Sequence, residues 1–182
     1  MRKTLLFVML AVATFVTAQD NKFVIRGEMS STTLCYSNET VTTLHFPAEE
    51  GLLWPMDGNV IMNYSMDATI YHATLDQYKY NPAIIIAGAV NNKVYAVAKG
   101  KITDISQNEV TGTTVTMDLG DGYQAIYGQL KELNFAVGDY LESGHVIGYI
   151  SEPTKYYSVE GSNLYFELQK DGEPIDPILF FE

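Results

Sequence analysis

The chain has 182 residues and a formal net charge of −11, with 47% hydrophobic and 18% charged residues. This length allows one ordinary domain with a short leader, and the composition is that of a globular protein rather than a disordered one. The 11 basic residues are scattered along the chain, so there is no basic patch for phosphates, and DNA and RNA are excluded as main partners.

Residues 1–18 have the pattern of a secretory leader. Two basic residues precede an apolar run from Thr4 to Val16, and a small residue, Ala18, follows it. Two outcomes stay open: cleavage near Ala18, or retention as a single N-terminal membrane anchor, although a membrane span needs roughly 20 apolar residues. In both cases the remainder of the chain is expected outside the cytoplasm, either secreted or anchored to the membrane.

Residues 19–51 are rich in Ser, Thr, Asn and Glu and contain only brief apolar patches. We interpret them as a spacer that contributes one strand around Phe23 to Ile25. The spacer contains Cys35, the only cysteine of the chain. A single cysteine permits no intrachain disulfide and no thiolate metal cluster.

From residue 52 to residue 182 the pattern predicts a mostly β domain of antiparallel strands. Short runs of β-branched and aromatic residues alternate with Gly, Asp-Gly and Asn-Asn pairs. The run 94–105 reads as two strands or one bent strand. The runs Thr113 to Leu119 and Tyr123 to Tyr127 flank Gly-Asp-Gly and predict a hairpin, because glycine tolerates a positive φ. Only the stretch from Asp67 to Tyr78 is compatible with a helix, so little helix is expected.

The order of these segments resembles one family. The segments are LLWPMDGNVI, VYAVAKGKITDI, GTTVTMDLGDGYQAIYGQL, FAVGDYLESGHVIGYI and NLYFELQKDGEPIDP. Together they resemble the M23 peptidases, also called LytM or lysostaphin-like domains, which are secreted zinc endopeptidases that cleave peptidoglycan. The resemblance covers residues 52–182 and implies a β sandwich of the LytM type (duplicated hybrid motif).

The residues that the family uses for catalysis are replaced in this chain. The His and Asp ligands of the motif His-x-Gly-x-Asp align with Asn81 and Ile85, and the third zinc ligand aligns with Tyr165. The two further histidines of the family align with Gln129 and Asn163. An amide oxygen, an alkyl group and a protonated phenol make no ordinary zinc site, and neither Gln nor Asn can act as a general base. We therefore predict no catalytic residue, no metal ligand and no zinc cofactor.

The resemblance then implies a pseudo-enzyme that acts as a binding or scaffold module in the bacterial cell envelope. Its partner would be peptidoglycan or an envelope protein, and one group of degenerate relatives suggests a role in sporulation. Two surfaces suit a partner: an exposed sheet edge, or a groove lined by aromatic residues. The candidate groove residues are Tyr71, His72, Tyr78, Tyr80 and Tyr157.

Two other functions remain as alternatives. The first is a zinc metalloendopeptidase that cleaves peptidoglycan peptides with a rebuilt metal site, whose candidate ligands would be His72, Asp76, His145, Glu167 and Asp176. The second is a biotinyl or lipoyl carrier, which would need a modifiable lysine on a tight hairpin. Lys99 and Lys101 flank a glycine, but their neighbours do not fit such a carrier, and a secreted location argues against intracellular acyl chemistry.

Overall fold

The structure is a computed structural model that describes residues 43–182 and two short strands before them. Strand β1 (Val16–Gln19) pairs antiparallel with β2 (Lys22–Ile25), and β2 contains the strand predicted around Phe23. Residues 1–15 of the predicted leader, and Cys35, lie outside the described residues. In the part of the chain that the structure describes, no helix has the length and apolar character needed to cross a membrane.

The main domain is built almost entirely of strands, which confirms the predicted fold class. Two 3₁₀ helices, Lys155–Tyr157 and Pro177–Phe180, are the helical elements of residues 43–182. The strands are β3 (Val60–Met62), β4 (Ser65–His72), β5 (Gln77–Asn81), β6 (Ile84–Ala87), β7 (Lys93–Tyr95), β8 (Gly100–Asn108), β9 (Gly112–Gly120), β10 (Tyr123–Lys131), β11 (Tyr140–Leu141), β12 (Val146–Ile150), β13 (Asn163–Lys170) and β14 (Glu173–Ile175).

One large antiparallel sheet carries the fold, in the order β11-β8-β9-β10-β13-β6-β3. Strand β12 joins it by pairing with β10 and β7, and β14 pairs with β13. The segment around Val94 forms two strands, β7 and β8, as one of the two readings of the sequence predicted. The central strands β10 and β13 therefore have neighbours on both sides, and they bring residues 123–131 next to residues 163–170.

The predicted hairpin at Gly-Asp-Gly is confirmed by the pairing of β9 with β10. All three turn residues have a positive φ: 90° at Gly120, 50° at Asp121 and 78° at Gly122. A Cβ added to Gly120 would also lie 2.3 Å from the carbonyl oxygen of Leu44. Glycine at position 120 is thus required both by the turn and by the close approach of the chain around residue 44.

The prediction that Asp67 to Tyr78 is compatible with a helix is wrong. The residues form a second hairpin, β4–β5, which makes a two-stranded sheet of its own. Asp76 has a φ of 51° in the turn, and the rings of Tyr71 and Tyr78 lie 5.4 Å apart across the two strands. This stretch is rich in Thr, Ile and Tyr, whose branched and aromatic side chains favour a pleated surface, and the cross-strand tyrosine pair adds to that preference.

The main core lies on the large sheet and includes Ile84, Ile86, Tyr127, Leu164 and Phe166. The last part of the predicted spacer packs against this core. Phe46 is buried and stacks on Tyr123 with 3.6 Å between ring centroids. Its backbone N–H also donates to a carboxylate oxygen of Asp121 at 3.0 Å. Residues 43–51 therefore belong to the same compact unit as the β domain.

Candidate functional site

The site begins at the corner between β5 and β6, where Asn81 is buried. Its side-chain amide donates to the carbonyl oxygen of Asn63 at 2.8 Å and to that of Ala83 at 2.6 Å. The lone pair of an amide nitrogen is delocalised into its carbonyl group and is not available to a metal, and both hydrogens of this nitrogen are used by the backbone. Asn81 thus stabilises the chain reversal between the small hairpin and the large sheet.

Ile85 and Tyr165 are direct partners in the ladder between β6 and β13. Ile85 is completely buried, and it forms a small apolar cluster with Met62 and Tyr157. The rings of Tyr156 and Tyr165 pack against this cluster from its edge. An apolar contact therefore fills the position where the resemblance puts two metal ligands. The assignment of these residues to ligand positions stays a prediction.

The hydroxyl of Tyr165 donates to a carboxylate oxygen of Glu167, two residues further along β13. The other oxygen of this carboxylate accepts from the side-chain amide of Gln169 at 2.6 Å. These three side chains lie at every second position of one strand, so they share one face of the sheet. Burial, together with the negative charge of Glu167, raises the pKa of Tyr165 well above its usual range. The phenol therefore stays protonated.

Gln129 occupies a bulge in β10. Between Tyr127 and Leu130 the strand has one residue more than its partner β9, and Gln129 itself has a φ of 66°. The residue is completely buried, and its backbone N–H donates to the Thr111 carbonyl oxygen at 2.6 Å. Its side-chain oxygen accepts from the backbone N–H of Thr154 at 3.3 Å. A left-handed backbone at a residue other than glycine costs energy, so the surrounding contacts must hold it in place.

Two buried side-chain amides of the site each have one atom without a hydrogen-bond partner among the described residues. These are the side-chain nitrogen of Gln129 and the side-chain oxygen of Asn163. The amide nitrogen of Asn163 donates to the carbonyl oxygen of Gly161 at 2.6 Å, which fixes the orientation of that side chain. Unpaired polar atoms in a protein interior are rare and costly. The two residues sit at the positions that the resemblance assigns to proton-handling histidines.

A cavity of about 270 Å³ opens beside Asn81 and Tyr165, and neither Gln129 nor Asn163 is among the residues that line it. Asn81, Tyr165 and three of the candidate groove residues line it: His72, Tyr80 and Tyr157. Tyr71 and Tyr78 do not line it; they pair with each other on the hairpin and are 48% and 71% exposed. The structure thus separates the candidate groove into a cavity wall and an exposed tyrosine pair.

Burial changes the protonation of two groups in the cavity wall. It raises the pKa of Tyr157 to about 12, with a further contribution from the charge of Glu160. It also lowers the pKa of His72, and the nearby ammonium of Lys79 lowers it further, while the charge of Glu160 acts in the opposite direction. The Nε2 atom of His72 is buried without a hydrogen-bond partner among the described residues. Burial and Lys79 therefore favour the neutral form of the His72 imidazole.

The candidate ligands for a rebuilt metal site do not converge. Asp76 accepts from the hydroxyl of Tyr71 at 2.8 Å, and Asp176 caps the last 3₁₀ helix by accepting from Ile178 N–H at 3.0 Å. His145 lies in a turn and accepts from Glu142 N–H at 3.3 Å. Nowhere in residues 43–182 do three His, Cys, Asp or Glu side chains come together in a way that could hold a metal ion.

Zinc, the metal of the resembling family, does not fit the residues at this site. Asn81 uses its amide hydrogens within the fold, Ile85 has no lone pair, and the Tyr165 phenol is kept protonated beside a carboxylate. A zinc site needs three deprotonated or neutral N, O or S donors that face one point. Of the three residues only Asn81 offers a donor atom, the neutral amide oxygen, so the set does not supply the three donors of a zinc site.

The sequence analysis missed one group of contacts at the cavity. Glu160 accepts from the backbone N–H of Thr74 at 3.2 Å and also from the Thr74 hydroxyl. The two residues are 86 positions apart, and neither belongs to a recognisable motif. No pattern in a single sequence could have paired them, because the contact depends on how the hairpin β4–β5 lies against the segment after Tyr157.

Comparison of the chain with known protein families identifies the family to which it belongs. The model described as Peptidase family M23 matches residues 79–177, which is more than half of the 182 residues. The chain is 30% identical to stage IV sporulation protein FA of Bacillus subtilis (strain 168) over 89 residues, which are 48% of this chain and 32% of that protein. It is 29% identical to stage II sporulation protein Q of the same strain over 89 residues, 49% of this chain and 31% of that protein.

The chain thus spans about a third of the length of these curated relatives. Among solved structures, a chain of the SpoIIQ-SpoIIIAH pore forming complex superimposes with a TM-score of 0.62 at 23% identity. The superposition covers 72% of this chain and 91% of that chain, so the fold is shared over most of the domain. With the family model matched across β5 to β14, this chain belongs to peptidase family M23.

Proposed function

We propose that the domain is a non-catalytic binding module of the bacterial cell envelope, located outside the cytoplasm, and that its partner is an envelope protein. The observation that carries this proposal is the direct pairing of Ile85 with Tyr165 in the ladder between β6 and β13. Where an active member of the family would need two metal ligands, this chain has an isoleucine that is completely buried and a hydrogen-bonded phenol.

The chemistry of peptide hydrolysis supports the same conclusion. A zinc peptidase needs a metal to polarise the carbonyl group and to lower the pKa of the attacking water. It also needs a group that titrates near neutral pH to move a proton. Gln129 and Asn163 can donate or accept hydrogen bonds, but neither amide titrates in that range. The site therefore retains polarity without the means of catalysis.

The extracytoplasmic location rests on residues 1–18, and the protein partner rests on the relatives. One solved relative is described as part of a complex of SpoIIQ with SpoIIIAH, which is an assembly of two proteins. The exposed tyrosines Tyr71, Tyr78 and Tyr80 give this chain a surface suited to such a contact, since aromatic rings bury a large area at a low entropy cost. Two sporulation proteins among the relatives suggest the same process for this chain.

The test measures zinc content, peptidoglycan cleavage and partner capture on the same purified protein. We expect less than about 0.1 zinc per chain after dialysis against zinc, no soluble peptide released from peptidoglycan, and specific capture of an envelope protein that is lost when Tyr71 and Tyr78 are both changed to Ser. Cosedimentation with peptidoglycan, without a protein partner, would identify the wall polymer as the ligand instead. One tightly bound zinc per chain with released peptide would establish the alternative, a peptidase with a rebuilt metal site.

A further inference from the structure

The hairpin β4–β5 has few apolar contacts with the rest of the domain. It forms its own two-stranded sheet, and four of the five residues of β5 are exposed. On β4 the apolar contact to the small cluster comes from Ile70, which packs at its edge. An element with little buried apolar area and exposed backbone hydrogen bonds opens at a lower free energy than the core of a protein.

Polar contacts hold the tip of this hairpin against the loop that follows the first 3₁₀ helix. The carboxylate of Glu160 accepts from the backbone N–H of Thr74 at 3.2 Å and from the Thr74 hydroxyl. The hydroxyl oxygen of Thr74 in turn accepts from the backbone N–H of Val159 at 2.8 Å. We call these three residues the clasp. Two of the three hydrogen bonds of the clasp use the Thr74 hydroxyl, so removing this hydroxyl breaks both.

The clasp lies beside the cavity of about 270 Å³. His72, Lys79 and Tyr80 of the hairpin form one wall of this cavity, and Tyr156 and Tyr157 of the 3₁₀ helix form another. The clasp joins the hairpin, which carries the first wall, to the loop that directly follows the 3₁₀ helix, which carries the second. Any outward movement of the hairpin therefore widens the cavity and exposes both the tyrosine wall and the unpartnered Nε2 atom of His72.

We propose that the hairpin β4–β5 is a lid over the tyrosine-lined cavity, and that the clasp of Thr74, Val159 and Glu160 holds this lid closed. The lid adds a conformational control to the domain and does not depend on which partner the domain binds. In the closed state the lid keeps the Nε2 atom of its own His72 buried and narrows the cavity. Open, it makes the aromatic wall available to a ligand larger than the closed cavity admits.

The titratable groups at the lid determine whether acid or base favours its opening. Burial acts to raise the pKa of Glu160, but hydrogen bonds from the Thr74 hydroxyl and from the backbone of Thr74, Glu160 and Ala73 together outweigh it, so its pKa in the closed state is lowered. The closed state is thus favoured above the ordinary carboxyl pKa and loses this support as pH falls through the lowered value.

His72 acts in the same direction. Its pKa is lowered by burial and by Lys79 on the same hairpin, while Glu160 on the facing loop partly offsets both. The closed state therefore prefers the neutral ring and is disfavoured as pH falls below the ordinary histidine pKa of about 6.5. Lys79 and Glu160 are the two charged groups that act on the pKa of His72. Since the shifts of Glu160 and His72 both disfavour the closed state at low pH, acid is expected to open the lid.

Amide hydrogen exchange followed by NMR tests the lid directly, on the whole protein and without any ligand. In Thr74→Val, which keeps the size of the side chain, we expect the hairpin amides of β4 and β5 to exchange about fivefold faster than in the parent, as the loss of a net hydrogen bond implies. The amides of β9 and β10 should not change. Thr113→Val is the matched control, because it removes a threonine hydroxyl that donates to Gln107 on the large sheet.

The pH arm uses Glu160→Gln and His72→Asn. After correction for intrinsic exchange, hairpin opening in the parent should increase several-fold from about pH 7.5 to about pH 5, and each variant should show a smaller increase. Glu142→Gln, which removes a carboxylate paired with Lys99, should keep the parent's pH dependence.

Two results would overturn the lid. One is hairpin exchange in Thr74→Val that matches the Thr113→Val control. The other is an equal acceleration across β9 and β10, since that would mean a loss of global stability rather than a local opening. Because no partner is added, either result leaves the proposed binding function to be judged by its own experiment.

Discussion

Tyr165 and Ile85 face each other across the ladder between β13 and β6, and the phenol of Tyr165 reaches along its own strand to the carboxylate of Glu167. Directly opposed residues of antiparallel strands have their Cβ atoms about 5 Å apart. This pairing brings an aromatic ring to an alkyl group at the two positions that the resemblance to the family assigns to metal ligands.

Removing the Tyr165 hydroxyl should weaken the fold. In Tyr165→Phe the ring still packs against Ile85, but one oxygen of the buried Glu167 carboxylate loses its donor. We expect a loss of about 1–2 kcal/mol in the free energy of unfolding, measured by urea denaturation. Tyr78→Phe on β5 is the control, because the Tyr78 side chain is 71% exposed. Equal stability of the two variants would show that the phenol contributes nothing to Glu167.

Restoring the three family ligands should restore zinc binding. The variant Ile85→Asp alone places an unpaired charge at a completely buried position and should lose more than about 3 kcal/mol of stability. The triple variant Asn81→His, Ile85→Asp, Tyr165→His supplies three donors for one metal ion. We expect added zinc to raise the melting temperature of the triple variant and to have no such effect on Ile85→Asp or on the parent protein.

Comparing zinc binding by the triple variant with zinc binding by Ile85→Asp tests whether the three ligand positions are assigned correctly. A triple variant that takes up no zinc, measured by mass spectrometry of the metal after dialysis, would mean that at least one of the three positions is misassigned. Equal zinc uptake by Ile85→Asp alone would point to the same error. The parent serves as the baseline for metal bound elsewhere on the surface.

The fold could be predicted from the sequence because local signals and strand order agree. The Gly-Asp-Gly turn and the alternating runs around it specify the β9–β10 hairpin, and the pairs found in the structure match. The helix prediction at Asp67 to Tyr78 is wrong because this short stretch of mixed polar and apolar residues carries no clear period of two or 3.6. Its strands are fixed by the cross-strand pair of Tyr71 with Tyr78, which only the three-dimensional structure reveals.

The contacts at the site could not be predicted from the sequence. Asn81 and Tyr165, which the motifs assign to ligand positions, both line the cavity, and that assignment stays a prediction. In the bulge the positive φ falls on Gln129 and not on the adjacent Gly128, so the glycine in the sequence does not identify the left-handed residue. The clasp joins Thr74 to Glu160, which are 86 positions apart in the sequence. Neither segment carries a local pattern that predicts such a contact.

Alkaline pH should destabilise the domain through its buried tyrosines. Burial, followed by the charge of Glu160, raises the pKa of Tyr157 to about 12, and burial also raises the pKa values of Tyr127 and Tyr165. A raised folded pKa gives stability that is present below the unfolded value of about 10 and is lost as pH rises toward the folded value. The free energy of unfolding should therefore fall steadily above about pH 10.

The variant Tyr157→Phe measures how much Tyr157 contributes to the loss of stability at alkaline pH. Between about pH 10.5 and 11.5 it should lose about 1 kcal/mol less stability than the parent, because one proton-releasing group is absent from the unfolded chain. Tyr78→Phe is the control, since Tyr78 is 71% exposed. A parent-like slope for Tyr157→Phe would mean that Tyr157 is not buried as a neutral phenol.

The packing of Phe46 implies that the stable domain begins before residue 52. Its ring is buried between Tyr123, 3.6 Å away by ring centroids, and Phe180, 5.6 Å away. We expect Phe46→Ala to lose about 3 kcal/mol of stability, because a buried aromatic ring is replaced by a cavity. Val137→Ala, at a side chain that is 58% exposed, should change stability by less than about 0.5 kcal/mol. If both variants unfold at the parent's urea midpoint, residues 43–51 are a spacer that only rests on the surface, and the boundary at residue 52 is the correct one.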